Sequence, residues 1–131
     1  MNRWPGIIRR VDRDQGLARI VCGHGTDTLH ALVVDDGAQW LRTGRKVHLL
    51  FKETEVVVAH SGTAPWPGAF LAIVVAIASG QVLSEVKMDC SGTPLCALLD
   101  SAVVRALGMR EGSSVDVWIP SAALALEDRG T

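Results

Sequence analysis

Four histidines (His24, His30, His48 and His60) and the thiol of Cys22 all fall within the first 60 residues of the chain. Nitrogen and sulfur donors of this kind are what a transition-metal site is made from, and Cys22-x-His24 with His30 six positions on is the tightest grouping. A structural zinc site needs paired donors at regular two-plus-two spacing, which is missing here. Cys90 and Cys96 flank a turn and read as small core or edge residues rather than as a disulfide. The stretch "GHGTDT" (23–28) has two glycines but no helix behind it, so it lacks the amide cradle of a phosphate loop. Serine, histidine and aspartate are all present, yet no nucleophile elbow frames a triad. Glu53 and Glu55 alternate along a strand edge, where carboxylates are normally solvated. These residues point away from catalysis and away from a bound metal. The expectation is a binding protein that is not an enzyme and has no cofactor.

Charge narrows what it could bind. The 131 residues carry 13 Lys and Arg against 14 Asp and Glu, and no basic block stands out. A nucleic-acid groove requires a basic stripe interleaved with aromatics, and Trp4, Arg9 and Arg19 are too few to make one. The two halves differ, however. Residues 1–60 hold nine basic and seven acidic side chains, whereas residues 61–131 hold four and seven. An anion would therefore favour the first half. The N-terminus "MNRWPGIIRR" lacks the pattern of a secretory signal, and the odd cysteine count suits a reducing compartment, so a cytoplasmic location is expected. The longest apolar run, "AFLAIVVAIA" (69–78), is far shorter than the about 20 residues of a membrane span. It reads as a strand buried on both faces, which in so small a protein suggests a subunit interface.

The elements that must position these residues are short strands. β-branched residues cluster in brief runs separated by Gly, Asp and Ser. The tripeptide Trp4-Pro5-Gly6 recurs as Trp66-Pro67-Gly68, but a shift of 66 residues aligns far more of the chain. Ile8 then falls on Val74, Val11 on Ile77, Leu17 on Leu83 and Ile20 on Val86, while "TLHALV" (28–33) falls on "PLCALL" (94–99). After a two-residue insertion, Gly44-x-x-Val47 matches Gly112-x-x-Val115. The chain is an internal repeat of about 65 residues. Residues 1–60 form the first module, 61–68 a Gly- and Pro-rich linker, and 69–131 the second. Strands are expected near 6–11, 17–22, 28–34, 46–51 and 55–59, then near 70–78, 82–88, 95–99, 114–119 and 123–126. The stretch "DSAVVRALGMREG" (100–112) predicts a short helix capped by Asp100 or Ser101. The fold class is all-β: two tandem OB-like five-stranded barrels, each with a short helical insert. Barrels of this size are marginal alone and should associate closely.

Most of the chain resembles the Mop or TOBE domain, the molybdate-binding module of molbindins and of the molybdate-responsive regulator ModE. In the first half the resemblance runs through "MNRWPGII", "ALVV" and "LRTGRKVHLLFKETEVVVA". In the second it runs through "ASGQVLSEV" (78–86) and "LGMREGSSV" (107–115). The arrangement is a tandem of two such modules. The resemblance implies a cytoplasmic protein that binds molybdate or tungstate between subunits, as a homo-oligomer with a trimer favoured. A tetrahedral dianion needs several N–H donors and at least one fixed positive charge, and a subunit interface supplies both while excluding water.

The family's binding pattern maps unevenly onto the two halves. It places a Ser-x-Arg-Asn stretch before the first strand, Thr and Ser around the helical turn, and Lys after the fourth strand. In the first half Asn2 matches the Asn, Arg3 is a substitute donor, and Lys52 in "LFKETEV" stands at the Lys position. In the second half the four leading positions read Pro65-Trp66-Pro67-Gly68, and Asp100, Val103 and Pro120 replace the Thr, Ser and Lys. Only Ser121, next to Pro120, offers a hydroxyl. The resemblance thus implies oxyanion binding through Lys52, Asn2 and Arg3, with Ser121 a remnant donor, for storage, homeostasis or sensing. The alternative is a degenerate tandem that has lost its ligand and serves as an oligomerisation or regulatory interaction module.

Overall fold

The computed structural model describes residues 1–130. In β1, β2, β6 and β7 buried and more exposed positions alternate, and that alternation sets the inner and outer face of each sheet. The first half supplies β1 (Asn2–Asp14), β2 (Leu17–His24), β3 (Asp27–Val34), β4 (Lys46–Phe51) and β5 (Val57–His60). The second supplies β6 (Phe70–Ala78), β7 (Leu83–Cys90), β8 (Thr93–Asp100), β9 (Ser114–Trp118) and β10 (Ala125–Asp128). Two tight hairpins turn on residues with positive φ: Gln15-Gly16 between β1 and β2, and Ser91-Gly92 between β7 and β8. That geometry matches the twist of paired strands and favours glycine at its second position.

A helix, α1 (Ser101–Ala106), follows β8. The Asp100 carboxylate caps it by accepting from the Ala102 N–H at 2.8 Å. Ser101 is buried behind it, bonded to Ser84 and to the Gly80 carbonyl at 2.7 Å each. The matching stretch of the first half, residues 35–45, forms turns instead of a helix. Each half also has one 3-10 turn after its fourth strand, Glu53–Glu55 and Ser121–Ala123.

The fifth strands are exchanged. One sheet runs β10-β4-β1-β2-β3 and the other β5-β9-β6-β7-β8. Thus β5, encoded in the first half, pairs with β9 from Val57↔Trp118 to His60↔Val115. Its counterpart β10 returns to β4 from Ala125↔Leu50 to Asp128↔Val47. The division at 1–60 and 69–131 describes the sequence repeat, while each sheet takes its fifth strand from the opposite half. An Arg45–Asp128 pair with two hydrogen bonds, 2.7 and 2.8 Å long, fastens β10 in place.

The inner faces of both sheets meet in one hydrophobic core. Trp4, Ile20, Leu49 and Phe51 from the first half are continuous with Phe70, Val86 and Val117 from the second. Trp4 is its hub, within 5.3 and 5.4 Å (ring centroids) of Phe51 and Phe70. Its indole N–H donates to the Pro94 carbonyl at 3.0 Å, so the largest buried side chain also has its one polar group satisfied. Two barrels too small to be secure alone share a core in this way. Contrary to the sequence reading of residues 69–78, β6 is buried on one face only. Phe70, Ala72 and Val74 point inward, while Leu71, Ile73 and Val75 are exposed.

Candidate functional site

The repeat creates two equivalent corners, each formed where the start of a module's first strand meets the third strand of the other module. At the first corner Asn2 lies against Cys96 on β8, and the 3-10 turn that follows Lys52 packs on the same strand. At the second, Gly68 lies against His30 on β3, and the turn beginning at Ser121 packs there. The 66-residue register pairs Asn2 with Gly68 and Cys96 with His30, which is why the corners correspond.

The first corner is polar and built. Asn2 is buried, and its side chain imitates a strand: Nδ2 donates to the Cys96 carbonyl at 2.8 Å and Oδ1 accepts the Cys96 N–H at 2.9 Å. One Nδ2 hydrogen is left for another acceptor. Beside it opens a cleft of about 800 Å³ that Asn2, Arg3, Lys87, Thr93 and Cys96 help to line. Lys52 follows Phe51, the partner of Asn2 in the β1–β4 ladder. Its backbone is extended, its carbonyl closes the 3-10 turn by accepting from the Glu55 N–H at 3.0 Å, and its side chain is exposed. Among the described residues the Lys52 ammonium has no ion-pair partner.

Two other charges at this corner, the Met1 ammonium and the Arg3 guanidinium, are paired, whereas Lys87 and Asp89, which also line the cleft, have no ion-pair partner among the described residues. The Met1 ammonium contacts the Glu53 carboxylate, and that hydrogen bond holds Glu53 below the usual carboxylate range. Arg3 lies on the outer face, where its guanidinium donates to Glu127 at 2.5 Å and sits 3.1 Å from His48 Nδ1. Of the three residues expected to serve an anion here, Lys52 is uncommitted, Asn2 is half-committed, and Arg3 is engaged with β10. Sequence reading overlooked Lys87. The β7–β8 register places it directly opposite Cys96, and the aligned first-half residue is the apolar Val21.

The second corner offers much less. Gly68 has φ +82, and a side chain there would press on His30 Cδ2 and the Thr28 carbonyl at 3.2 and 3.3 Å. Pro120 precedes the 3-10 turn and carries no charge. Ser121 is half-buried, and among the described residues no hydrogen bond engages its hydroxyl. The two 3-10 turns line a shallow hollow of about 420 Å³ through Thr54, Glu55, Pro120, Ala122 and Ala123, with Val57. Burial lowers the His30 imidazole pKa, with Arg19 and Arg10 adding to the effect, which favours the neutral ring.

His24 has structural partners, and the thiols of Cys22 and Cys90 are buried. The His24 ring stacks on Trp4 at 4.5 Å, with Nδ1 2.6 Å from the Pro5 carbonyl and Nε2 2.9 Å from the Thr93 hydroxyl. Among the described residues no three His, Cys, Asp or Glu side chains come together as a metal set. Burial pushes the thiols of Cys22 and Cys90 up to about 12 and keeps them protonated. No described helix is long and apolar enough to cross a membrane.

Residues 67–126 match the family model of the TOBE domain. Solved structures that share the fold include the molybdate-bound form of the cytoplasmic molybdate-binding protein ModG. It superposes with a TM-score of 0.88 and is 21% identical, over 97% of this chain and 95% of that one. No curated protein sequence matches significantly. The TOBE match falls on the half in which Gly68 and Pro120 stand at the family's donor positions.

Proposed function

We propose that this chain, which carries a TOBE domain over residues 67–126 in a tandem fold shared with a molybdate-binding protein, binds molybdate or tungstate without catalysis. The observation that carries the reading is the first corner: a buried Asn2 with one Nδ2 hydrogen free, and Lys52, which has no ion-pair partner among the described residues, directly after Phe51, the ladder partner of Asn2. A dianion lying there would meet one positive charge and at least one directed donor, with Lys87 across the cleft. Arg3 joins only by giving up Glu127. Ser121 serves at most as a lone donor at the other corner. The role is storage, homeostasis or sensing of the oxyanion in the cytoplasm.

The exposed stripe of Leu71, Ile73 and Val75 supports a homo-oligomer, with a trimer favoured, because an apolar sheet face of this kind is normally covered. Calorimetric titration with molybdate, tungstate, sulfate and phosphate, on the wild type and Lys52→Ala, tests the ligand. Saturable heat with the first two, lost in the variant, is the expected result. No heat with any of the four defeats the reading. Sedimentation of Val75→Glu against the wild type tests the assembly.

A second reading is favoured by a specific observation. Arg3 is engaged by Glu127, and Gly68 and Pro120 stand where donors belong. In that case the tandem has lost its ligand and acts as an interaction module. Capture of one stable protein partner, unchanged by molybdate, would favour it.

A further inference from the structure

β1 has a bulge at Arg9, where its register with β2 shifts between Ile8 and Arg10. A bulge re-aims a side chain, and here the Arg9 guanidinium lies over the backbone of Gly23. A Cβ at position 23 would overlap that guanidinium, so the arrangement requires glycine. Arg9 also donates to the Gly25 carbonyl at 3.1 Å, which fixes it over the β2–β3 turn.

Two more cations, Lys46 and Arg129, line the hollow that Gly23 and Gly25, the residues beneath Arg9, also line. Ile7 is opposite Gly23 on one side and Lys46 on the other, and directly opposed residues share a face. Arg129, just past β10, donates its backbone N–H to the Lys46 carbonyl at 3.1 Å. Lys46 and Arg129, with Ile7, Gly23, His24 and Gly25, help to line a hollow of about 270 Å³. Of the nearby acids, Glu127 is engaged by Arg3 and His48 and Asp128 by Arg45, while Asp27, opposite His24 in the β2–β3 ladder, has no ion-pair partner among the described residues. Among the described residues, Arg9, Lys46 and Arg129 have no ion-pair partner. Three like charges that outnumber the unpaired acids among the described residues here raise the local potential and favour an anion.

The second module separates what the fold needs from what this hollow adds. The bulge recurs there, between Val74 and Ala76, with the exposed Val75 in the place of Arg9. The positions of Gly23 and Lys46 become Asp89 and Ser114. The bulge belongs to the fold, while the cations and the accommodating glycine belong to the first module alone.

We propose that this hollow is a second anion site, separate from the Asn2–Lys52 corner, and that it takes a phosphate-type oxyanion. A planar guanidinium fork, a second arginine and a lysine point charge are the groups that hold phosphoryl oxygens. The volume lies just below the about 300–1,000 Å³ of small-molecule pockets, which suits one oxyanion group rather than a whole cofactor.

The test is a series of amide NMR spectra of the full chain at constant ionic strength, titrated separately with inorganic phosphate and methyl phosphate. Saturable shifts at Ile7, Gly23 and Gly25 are expected, and Lys52→Ala should leave them intact. Lys46→Gln with Arg129→Gln should weaken binding by about tenfold or more, since each removes a charge-assisted contact. Arg9→Gln should weaken it separately. Unchanged spectra elsewhere establish that each variant folds. Comparable binding of both probes supports a site for the free oxyanion, and a preference for methyl phosphate supports a phosphoryl group on a larger molecule. Absence of saturable shifts with either probe, or equal affinity in the double variant, overturns the proposal. The molybdate reading is followed independently at the Asn2 and Cys96 signals.

Discussion

The same scaffold corner occurs twice in this molecule, once with Asn2 against Cys96 and once with Gly68 against His30. At the first, an amide side chain completes a strand-like pair across the module boundary and an unpaired lysine follows the fourth strand. At the second, glycine and proline fill the equivalent positions, and the preceding Trp66 stacks on Trp118 at 4.8 Å. The strand and 3-10 turn layout recurs in the two places, but Asn2 is a strand residue and Gly68 a turn residue with φ +82, and only the first corner has the buried amide and the lysine. A fold preserved without its donors teaches that core positions and site positions are independent requirements.

Experiments on paired positions can break or sharpen this comparison. The largest contrast is between the two tryptophans of the repeated tripeptide. Trp4→Ala empties the shared core and leaves the Pro94 carbonyl unpaired, at a cost of about 3–5 kcal/mol. Trp66→Ala removes a half-exposed stack and should cost about 1 kcal/mol. Denaturant unfolding of both variants measures the difference, and equal losses would refute the assignment of Trp4 to the core and Trp66 to the surface.

Next comes the charge at the first corner. Lys52→Ala should weaken molybdate binding by about tenfold or more, as expected for loss of a charge-assisted contact. Ser121→Ala should leave it unchanged within error, and calorimetry distinguishes the two. A graft in the other direction is expected to have a smaller effect. Pro120 has φ −52 and ψ 137, a conformation open to lysine, so Pro120→Lys restores the missing charge without strain. The expected result is added weak binding at a second site, seen as increased stoichiometry.

The smallest effect concerns β10. The Arg45 guanidinium beside Asp128 lowers its carboxyl to about 2, below its value in an unfolded chain. Stability from this group is therefore full above the unfolded carboxylate pKa, and it is lost as the pH falls toward 2. Asp128→Asn should remove that part of the acid sensitivity and increase hydrogen exchange in β10 at neutral pH. An unchanged exchange rate would show that the pair does not hold the strand.

Much of the architecture was legible from local pattern. The observed strands overlap all ten expected segments, because period-two alternation and turn residues are local properties. The helix after β8 was legible from Asp100 and its apolar spacing, though it ends at Ala106, ahead of the expected boundary. The candidate site was less legible. Lys52 and Asn2 stood out through a resemblance, but that Asn2 would spend most of its amide on Cys96, 94 residues away, was not visible in sequence. The engagement of Arg3 by Glu127, 124 residues on, was equally hidden. Apolar content marked β6 as unusual without revealing which side of it remains bare.

The sequence by itself determined the strand order along the chain, the repeat and the uneven distribution of charge between the halves. These follow from residue type and spacing alone. Only the tertiary structure decided which sheet receives β5 and which receives β10. Both are short strands at equivalent repeat positions, so local pattern cannot choose between partners. The choice is made by long-range pairing and by contacts such as Arg45 with Asp128, whose residues stand 83 positions apart. The same long-range closure brings Asn2 to Cys96 and Lys46 to Arg129, and thereby makes the two places where an anion is proposed to rest.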